Sequence, residues 1–390
     1  MKVRRISHFQ TTLYFPKFDS IYAKYYSGFN STDLGRIHSA IPWDELVKVF
    51  KLKDRSKGPT AIFSPRGKLA LMFLKHYCAC SDRRLIDQFN GNIYYQIFCD
   101  TILDPGEHIS NFKIVSQIRC ELSKQLEMDQ VELILMDHWR PYMDDLDSIT
   151  CDATCYESSI RYPTDVKLLW ESVDWMYGQI EKICKVKKLR MPRTTYKKWL
   201  PRYVSYSKMR KKTKKKRKSL TRAMLRLLTK LDTEYTGLEE QYPAMRLKGR
   251  QAQRRATIQI ILAQQSAKFY EGKRPKEAIV SIDKPYIRPI VRGKEIKPVE
   301  FGAKLHKLQI DGISFIEHLS FDAYNESTRI KQTLYKAQSL THKEVNLLGA
   351  DSIYATNANR KLLTSRGIST DFKIKGRPGR HQEHKTLIAK

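Results

Sequence analysis

The chain has 390 residues, of which 41% are hydrophobic and 11% aromatic, enough apolar material for two or three domains and too much for general disorder. Its 72 Lys and Arg residues against 41 Asp and Glu residues give a formal net charge of +31, which predicts a polyanionic partner, nucleic acid above all. No segment approaches about 20 consecutive apolar residues and the N-terminus lacks the apolar stretch of a secretory signal, so we expect no membrane span and a cytoplasmic, nucleoid-associated protein.

The first 130 residues have the periodicity of short helices. Residues 1–60 form a mixed N-terminal segment with one amphipathic helix over 39–51, in which Pro42 suits the first turn. In residues 61–130, Ser64-Pro65 and Ser81-Asp82 begin helices, and a third begins near Ser110. Such helices, joined by tight turns, predict either a compact domain that presents one helix to a DNA groove or an ordinary helical packing domain.

The pattern changes at residues 145–164. The segment Ser148–Glu157 (SITCDATCYE) is rich in β-branched and small residues around a single carboxylate, Asp152, and predicts a buried strand that opens a sheet. Residues 165–275 then have helical periodicity, and Pro192, Pro201 and Pro243 predict breaks between the helices.

This helical insertion contains a dense basic tract, KMRKKTKKKRK. Its nine cationic residues predict contact with nucleic acid, although a solvated helix face or loop would have the same composition. The candidate DNA-binding residues are Lys208, Arg210, Lys211, Lys212, Lys214, Lys215, Lys216, Arg217 and Lys218.

Residues 276–390 return to strands that alternate with helices. Two strands flank the turn Asp311-Gly312, a strong hairpin signal. The predicted order is strands over 294–310 and 313–321, a helix over 325–339, a strand over 344–350 that ends at Asp351, a helix over 357–366 and a strand over 372–375. With the insertion removed, this order predicts a mixed sheet with helices on its faces, an α+β or α/β fold.

Two carboxylates stand at positions suited to metal chemistry. Asp152 within one strand and Asp351 at the end of another could share divalent cations if the strands are neighbours in the sheet. An Asp at a strand end also serves to cap the following helix, and Asp283, Glu300 and Asp311 are competing acids, although the turn explains Asp311 better.

Several stretches resemble the DDE-type transposases of bacterial insertion sequences. Residues 148–170 (SITCDATCYESSIRYPTDVKLLW) resemble the first catalytic-strand motif, and the similarity continues through 280–327, 348–368 and the GRPGR segment at 376–380. Residues 64–126 resemble the helical N-terminal domain of the same proteins.

The resemblance implies a ribonuclease H-like catalytic core, interrupted by the helical insertion, that cuts and joins DNA at terminal inverted repeats with Mg²⁺ (or Mn²⁺). By position, Asp152 matches the first catalytic acid and Asp351 the second. It also implies double-stranded DNA (terminal inverted repeats and target) as the partner, and a homo-oligomer on DNA, since two element ends must be paired.

The third acid of this family is a Glu on a helix beyond the GRP-like segment, and the sequence stops at Lys390 before any such helix. Glu383 is the only acid after Asp371, and its setting, RHQEHK, does not match the motif. We therefore expect weak or absent catalysis from residues 1–390.

Two other functions are compatible with the same sequence. One is a catalytically inactive DNA-binding remnant or inhibitor that occupies the inverted repeats. The other is a plain Mg²⁺ nuclease or an RNA-binding protein, although the chain has no aromatic-rich RNA-recognition strand signature.

Overall fold

A computed structural model describes residues 3–4, 24–54, 58, 60–104, 106–291 and 298–373. Over these residues the chain combines helices with a mixed sheet, which confirms the prediction of an α+β protein. It divides into two compact units. The first comprises the described parts of 1–149, 310–315 and 334–347, and the second those of 150–309, 316–333 and 348–390.

The first unit is mainly helical. Strands β1 (Val3–Arg4) and β2 (Ile102–Leu103) form a short antiparallel pair. Residues 24–30 are helical, and the helices that follow are α1 (Asp33–Ser39), α2 (Trp43–Val49), α3 (Pro65–Tyr77), α4 (Asp82–Gly91), α5 (Ile93–Phe98), α6 (Lys113–Ser123) and α7 (Met128–Trp139).

Two predicted helix starts in this unit, at Ser64 and Ser81, are confirmed. The single helix predicted over 39–51 is wrong in its bounds, because α1 ends at Ser39 and α2 spans only Trp43–Val49, and the helix expected near Ser110 begins at Lys113. The Ser64 hydroxyl accepts a hydrogen bond from the Gly67 N–H at 3.0 Å and donates one to buried Asp100 at 3.0 Å. The Ser81 hydroxyl caps α4 by accepting from the Arg84 N–H at 3.2 Å. These caps satisfy amides that the helix itself leaves unpaired, so each helix begins at its Ser. The apolar faces of α2 to α6 then share one core.

The helical insertion consists of four described helices, all in the second unit. They are α8 (Asp165–Lys187), α9 (Tyr196–Lys208), α10 (Lys214–Gln241) and α11 (Arg250–Ser266). Helices α8 and α10 make the most extensive helix pair, with side chains such as Val173, Met176 and Leu228 fully buried. The breaks predicted at Pro192 and Pro243 lie between helices.

The break predicted at Pro201 is wrong, because this residue lies inside α9. Proline removes one backbone donor from a helix and usually kinks or ends it. Here Tyr196 and Tyr203, on either side of the proline, both stack on Trp170 of α8, with ring centroids 5.5 and 4.7 Å away. These aromatic contacts hold the two halves of α9 together across the missing hydrogen bond.

A six-stranded sheet belongs almost entirely to the second unit. Its strands are β3 (Ser148–Glu157), β4 (Arg288–Val291), β5 (Val299–Ile310), β6 (Ile313–Ser320), β7 (Leu347–Ala350) and β8 (Ser369–Thr370). They follow the order β4-β5-β3-β7-β8, and β6 also pairs with β5.

The predicted hairpin turn is confirmed, since Asp311 and Gly312 both have positive φ angles, of 45° and 80°. A 3₁₀ turn (Glu326–Arg329) leads into α12 (Ile330–Thr341), and α13 (Asn357–Ser365) follows β7. Strand β5 begins at Val299 rather than at residue 294; residues 292–297 lie outside the described residues.

The last predicted strand, over 372–375, is wrong where the structure describes it. The short strand β8 ends at Thr370, and Phe372 and Lys373 are not in a strand. The Ala350 N–H at the end of β7 bonds to the side chain of Asp371 at 3.2 Å instead of to a backbone carbonyl. The ladder between the two strands therefore stops before Phe372.

None of the helices in the described part of the chain has the length and apolar character needed to cross a membrane.

Candidate metal centre and nucleic-acid interface

Strand β3 presents Asp152 to solvent. Cys151 and Ala153, its neighbours along the strand, are buried, whereas Thr150 and Asp152 are exposed. This alternation corrects the prediction of a wholly buried strand: one face packs inside and the other carries the carboxylate. The Asp152 Oδ1 accepts a hydrogen bond from the Ala153 N–H at 2.7 Å.

Strand β7 lies beside β3 and runs parallel to it. Near the start of both strands, the Asn346 N–H donates to the Asp147 carbonyl at 2.9 Å. Three residues further along each strand, Gly349 lies against Thr150, and a Cβ added at Gly349 would lie 3.1 Å from the Thr150 Cγ2.

Asp152 lies two residues beyond Thr150 on β3, and Asp351 directly follows the end of β7 at Ala350, so both acids lie toward the same end of two neighbouring strands. The structure therefore places the two acids that the sequence singled out on neighbouring segments of the sheet region, although they lie far apart along the chain.

Asp351 does not act as a helix cap. It occupies the position before the 3₁₀ turn Ser352–Tyr354, but its side chain makes no capping hydrogen bond, and the residue is exposed. The competing acids are engaged elsewhere in the described chain. Asp283 pairs with Arg254 at 3.0 Å, and the Asp311 carboxylate accepts the Asp144 N–H at 2.9 Å.

Asp371, which the sequence pattern did not single out, lies at the same edge of the sheet. Its Oδ1 accepts the Ala350 N–H, and its Oδ2 is buried without a hydrogen-bond partner among the described residues. The Oδ2 would lie 3.8 Å from a Cβ at Gly349, which places it over the strand that leads to Asp351. The sequence signal that could have identified Asp371 is an acid directly after a short strand in the last part of a βαβ pattern.

Negative charge accumulates at this edge. Burial raises the pKa of the Cys151 thiol, and the nearby carboxylates of Asp152, Asp371, Glu317 and Asp351 raise it further. A carboxylate-rich edge of this kind attracts a hard cation. Within the described ranges, however, no group of three or more His, Cys, Asp or Glu side chains has the arrangement of a metal site. Glu383 lies outside the described residues.

The basic tract spans the junction of two helices of the insertion. Lys208 ends α9, residues 209–213 connect the helices, and Lys214 begins α10, where the Thr213 hydroxyl accepts the Lys216 N–H at 3.3 Å. All nine predicted DNA-binding residues are exposed. Only Lys212 is held against a ring, with its Nζ 5.7 Å from the centroid of Tyr206. The tract is a highly charged, solvated surface.

The positive segment is much longer than the tract. Residues 182–231 contain 21 Lys and Arg residues and no Asp or Glu. The absence of acids over these 50 residues can be read from the sequence, but the predicted DNA-binding residues include only the densest run of lysines within them. Because the segment contains no acids of its own, its cations depend on other segments for counter-charges.

Comparison with known proteins supports one assignment. Residues 23–120 match the family model described as Transposase domain (DUF772), which supports a transposase-family protein. No match was found among curated proteins or among solved structures.

Proposed function

We propose that this chain is a DDE-type transposase with a ribonuclease H-like core, in which Asp152 and Asp351 hold a divalent cation against a DNA phosphodiester. The observation that supports the proposal is the adjacency of β3 and β7, since β3 carries Asp152 and Asp351 directly follows β7, and both residues are exposed. The transposase-domain match over residues 23–120 supports the same class of protein.

The donor set suits Mg²⁺ or Mn²⁺. Neither carboxylate forms an ion pair with a Lys or Arg side chain of the described residues, so both retain acceptor capacity. Mg²⁺ is commonly held by one or two carboxylates together with substrate phosphates and water, so a pair of acids is a sufficient protein contribution. When bound, the cation would stabilise charge on the attacking and leaving oxygens of a phosphodiester displacement.

Neighbouring residues would orient the DNA and the acids. Thr150 contacts Gln309 at 3.4 Å, and the Ser158 N–H donates to the Phe301 carbonyl, so β3 and β5 are antiparallel. This register places Lys307 next to Asp152, where an ammonium group can hold a phosphate oxygen. Asp371 holds the Ala350 amide and thereby the end of β7 that carries Asp351.

The proposed partner is double-stranded DNA: the terminal inverted repeats and the target. The exposed basic tract supplies sequence-independent attraction to phosphates, and a domain of the kind matched over 23–120 contributes recognition. Because a transposase must hold two element ends together, we propose that the chain acts as a homo-oligomer on DNA.

The test combines metal binding with DNA cleavage. Asp152→Asn and Asp351→Asn should each weaken Mn²⁺ binding, measured by titration calorimetry, by at least about 100-fold, since even outer-shell partners of a metal contribute about 10- to 100-fold. Both should remove any Mg²⁺-dependent nicking of a plasmid that carries the gene with its flanking DNA, and both should leave duplex affinity within about twofold of wild type.

Asp283→Asn, which removes an exposed acid outside the pair, is the matched control and should leave Mn²⁺ affinity unchanged. Unaltered Mn²⁺ binding in both Asp152→Asn and Asp351→Asn would contradict the proposed site.

A DNA-binding remnant is the second candidate function. It is favoured by one observation, namely that no third ligand joins Asp152 and Asp351 in a metal-site arrangement within the described ranges. A wild-type chain that binds duplex DNA tightly but neither binds Mn²⁺ at these acids nor nicks DNA would identify the remnant.

A further inference from the structure

A groove of about 460 Å³ lies between α10 and the segment that contains the start of α9. Arg222, Arg226 and Lys230 line it from α10, and Arg193 and Trp199 line it from the other side. All belong to the second unit. Apart from Arg193, these residues lie on helices, and every cationic one lies outside the tract of nine residues described above.

The groove keeps its positive charge. No acid lines it, and none of its four cations forms an ion pair with another described residue. Some other cations of the insertion are neutralised, since Arg255 pairs with Glu239 at 2.6 Å and Lys268 pairs with Asp165 at 2.8 Å. Four unpaired like charges around one groove repel each other and are stabilised by a polyanion.

The cations stand on a rigid support. Residues 222, 226 and 230 follow at four-residue steps, so they share one side of α10 at intervals of about 6 Å. Leu228 and Leu231, on the packed side of the same helix, are fully buried. Arg222, Arg226 and Lys230 therefore project from a packed helix, whereas Arg193 and residues 209–213 of the tract lie in connections between helices.

The surface has the length and chemistry of a nucleic-acid contact. From Lys214 to Lys230, helix α10 rises about 24 Å, so the tract and the groove form one positive surface along it. Duplex DNA carries one negative charge per about 1.7 Å of its axis, which such a surface can match. Three of the four groove cations are Arg, whose planar guanidinium binds phosphate in bidentate fashion.

We propose that the groove lined by Arg193, Arg222, Arg226 and Lys230 binds the sugar–phosphate backbone of double-stranded DNA. The groove sets the register of the duplex on the insertion, and the lysine tract beside it adds attraction without fixed geometry. The proposal rests on the proposed function in its choice of DNA, but it does not depend on the chemistry of Asp152 and Asp351.

The experiment measures binding of the full chain to a fluorescent random-sequence duplex by anisotropy at several salt concentrations. The double variant Arg222→Gln/Arg226→Gln should lower the affinity about tenfold or more and reduce the salt slope by about 2, one for each phosphate that is no longer neutralised. The matched control, Lys182→Gln/Lys187→Gln near the end of α8, removes the same charge at exposed positions outside the groove and should change the affinity less than about threefold.

Circular dichroism and melting temperature should be unchanged in both variants, since the substituted side chains are exposed. Equal decreases in affinity for the two variants would overturn the proposal, because net charge alone would then explain binding. The proposal would also be overturned, in favour of another polyanion, if single-stranded DNA or poly-glutamate competed as effectively as duplex DNA and if this competition were abolished in the groove variant.

The outcomes separate this proposal from the proposed function. If the groove variant binds duplex normally while Asp152→Asn loses Mn²⁺ binding, the groove is wrong and the metal site stands. If the groove variant loses duplex binding while Asp152→Asn keeps full Mn²⁺ affinity, the groove stands and the metal site is wrong. Failure of the wild-type chain to bind duplex DNA contradicts the groove directly.

Discussion

Glu317 on β6 illustrates how single side chains hold the sheet of the second unit together. Its side chain is 2% exposed, and its Oε2 lies 3.0 Å from the Nδ1 of fully buried His306 on β5. Arg329 contacts both carboxylate oxygens, with its Nε 3.1 Å from Oε2. Burial alone would raise the pKa of Glu317, but the hydrogen bonds and charges of His306 and Arg329 outweigh it and lower the pKa.

We predict that Glu317→Gln lowers the free energy of unfolding by about 2–3 kcal/mol at neutral pH, because it removes the charge of the buried carboxylate that pairs with the partly exposed Arg329. Urea denaturation followed by tryptophan fluorescence measures the change. Glu181→Gln is the control: its carboxylate pairs with Lys185 on an exposed helix face and should contribute less than about 1 kcal/mol.

The same substitution has a defined pH dependence. The pKa of Glu317 is lower in the folded than in the unfolded chain, so its stabilisation is fully present above the unfolded value and is lost as the pH falls through the folded value. The difference between wild type and Glu317→Gln should therefore shrink as the solution is acidified through that range. A difference that persists undiminished in strong acid would show that the ionised pair is not its source.

At the scale of elements, the pairing of β5 with β3 requires close backbone contact. Gly302 on β5 is buried, and a Cβ at this position would meet the Tyr156 carbonyl oxygen far inside van der Waals contact and the Glu157 Cα at 2.9 Å. Backbone atoms cannot rotate away as a flexible side chain can, so the two strands would have to separate. The pairing of β5 with β3 in this register therefore requires a residue without a side chain at position 302.

Gly302→Ala should destabilise the second unit by at least about 2 kcal/mol, since extra atoms in a packed site force backbone shifts. Gly237→Ala provides a control of opposite sign. A Cβ at Gly237 in α10 meets nothing within 4 Å, and alanine in a helix interior stabilises by about 0.5–1 kcal/mol. Thermal melts of the two variants measure these changes. Shifts of the two melting temperatures in the same direction would contradict the close approach at Gly302.

At the scale of the whole molecule, charge dominates the chemistry of the chain. The excess of 72 basic over 41 acidic residues is concentrated in residues 182–231, which have no acids. A chain that meets DNA mainly through phosphates releases condensed counterions, so its affinity depends steeply on salt.

We predict that affinity for random-sequence duplex falls about 1,000-fold or more between about 50 and 200 mM salt, as expected for about six or more phosphate contacts. Anisotropy titrations at four salt concentrations give the slope. Asp283→Asn, which leaves the basic surface intact, should keep the same slope as wild type. A fall smaller than about tenfold would mean that few phosphates are engaged and that the positive segment is a solvated surface.

The local elements of this protein follow from short stretches of sequence. The starts of α3 and α4 at Ser64 and Ser81, the bounds of β3 and the turn at Asp311-Gly312 all depend on residues a few positions apart, so local propensity and capping were sufficient to predict them. Asp152 and Asp351 were also identified from the sequence, through strand position and through resemblance to a family.

The arrangement of these elements relative to one another depends on long-range packing. Strand order places β7, which ends directly before Asp351, beside β3, which carries Asp152. Tertiary packing also keeps α9 helical through Pro201 and brings the Asp371 side chain to the Ala350 amide. The groove likewise arises because Arg193 and three cations of α10 meet across different helices. Such contacts join residues that are distant along the chain, and the energies of these contacts depend on which surfaces pack together. A local pattern of residues does not encode that choice.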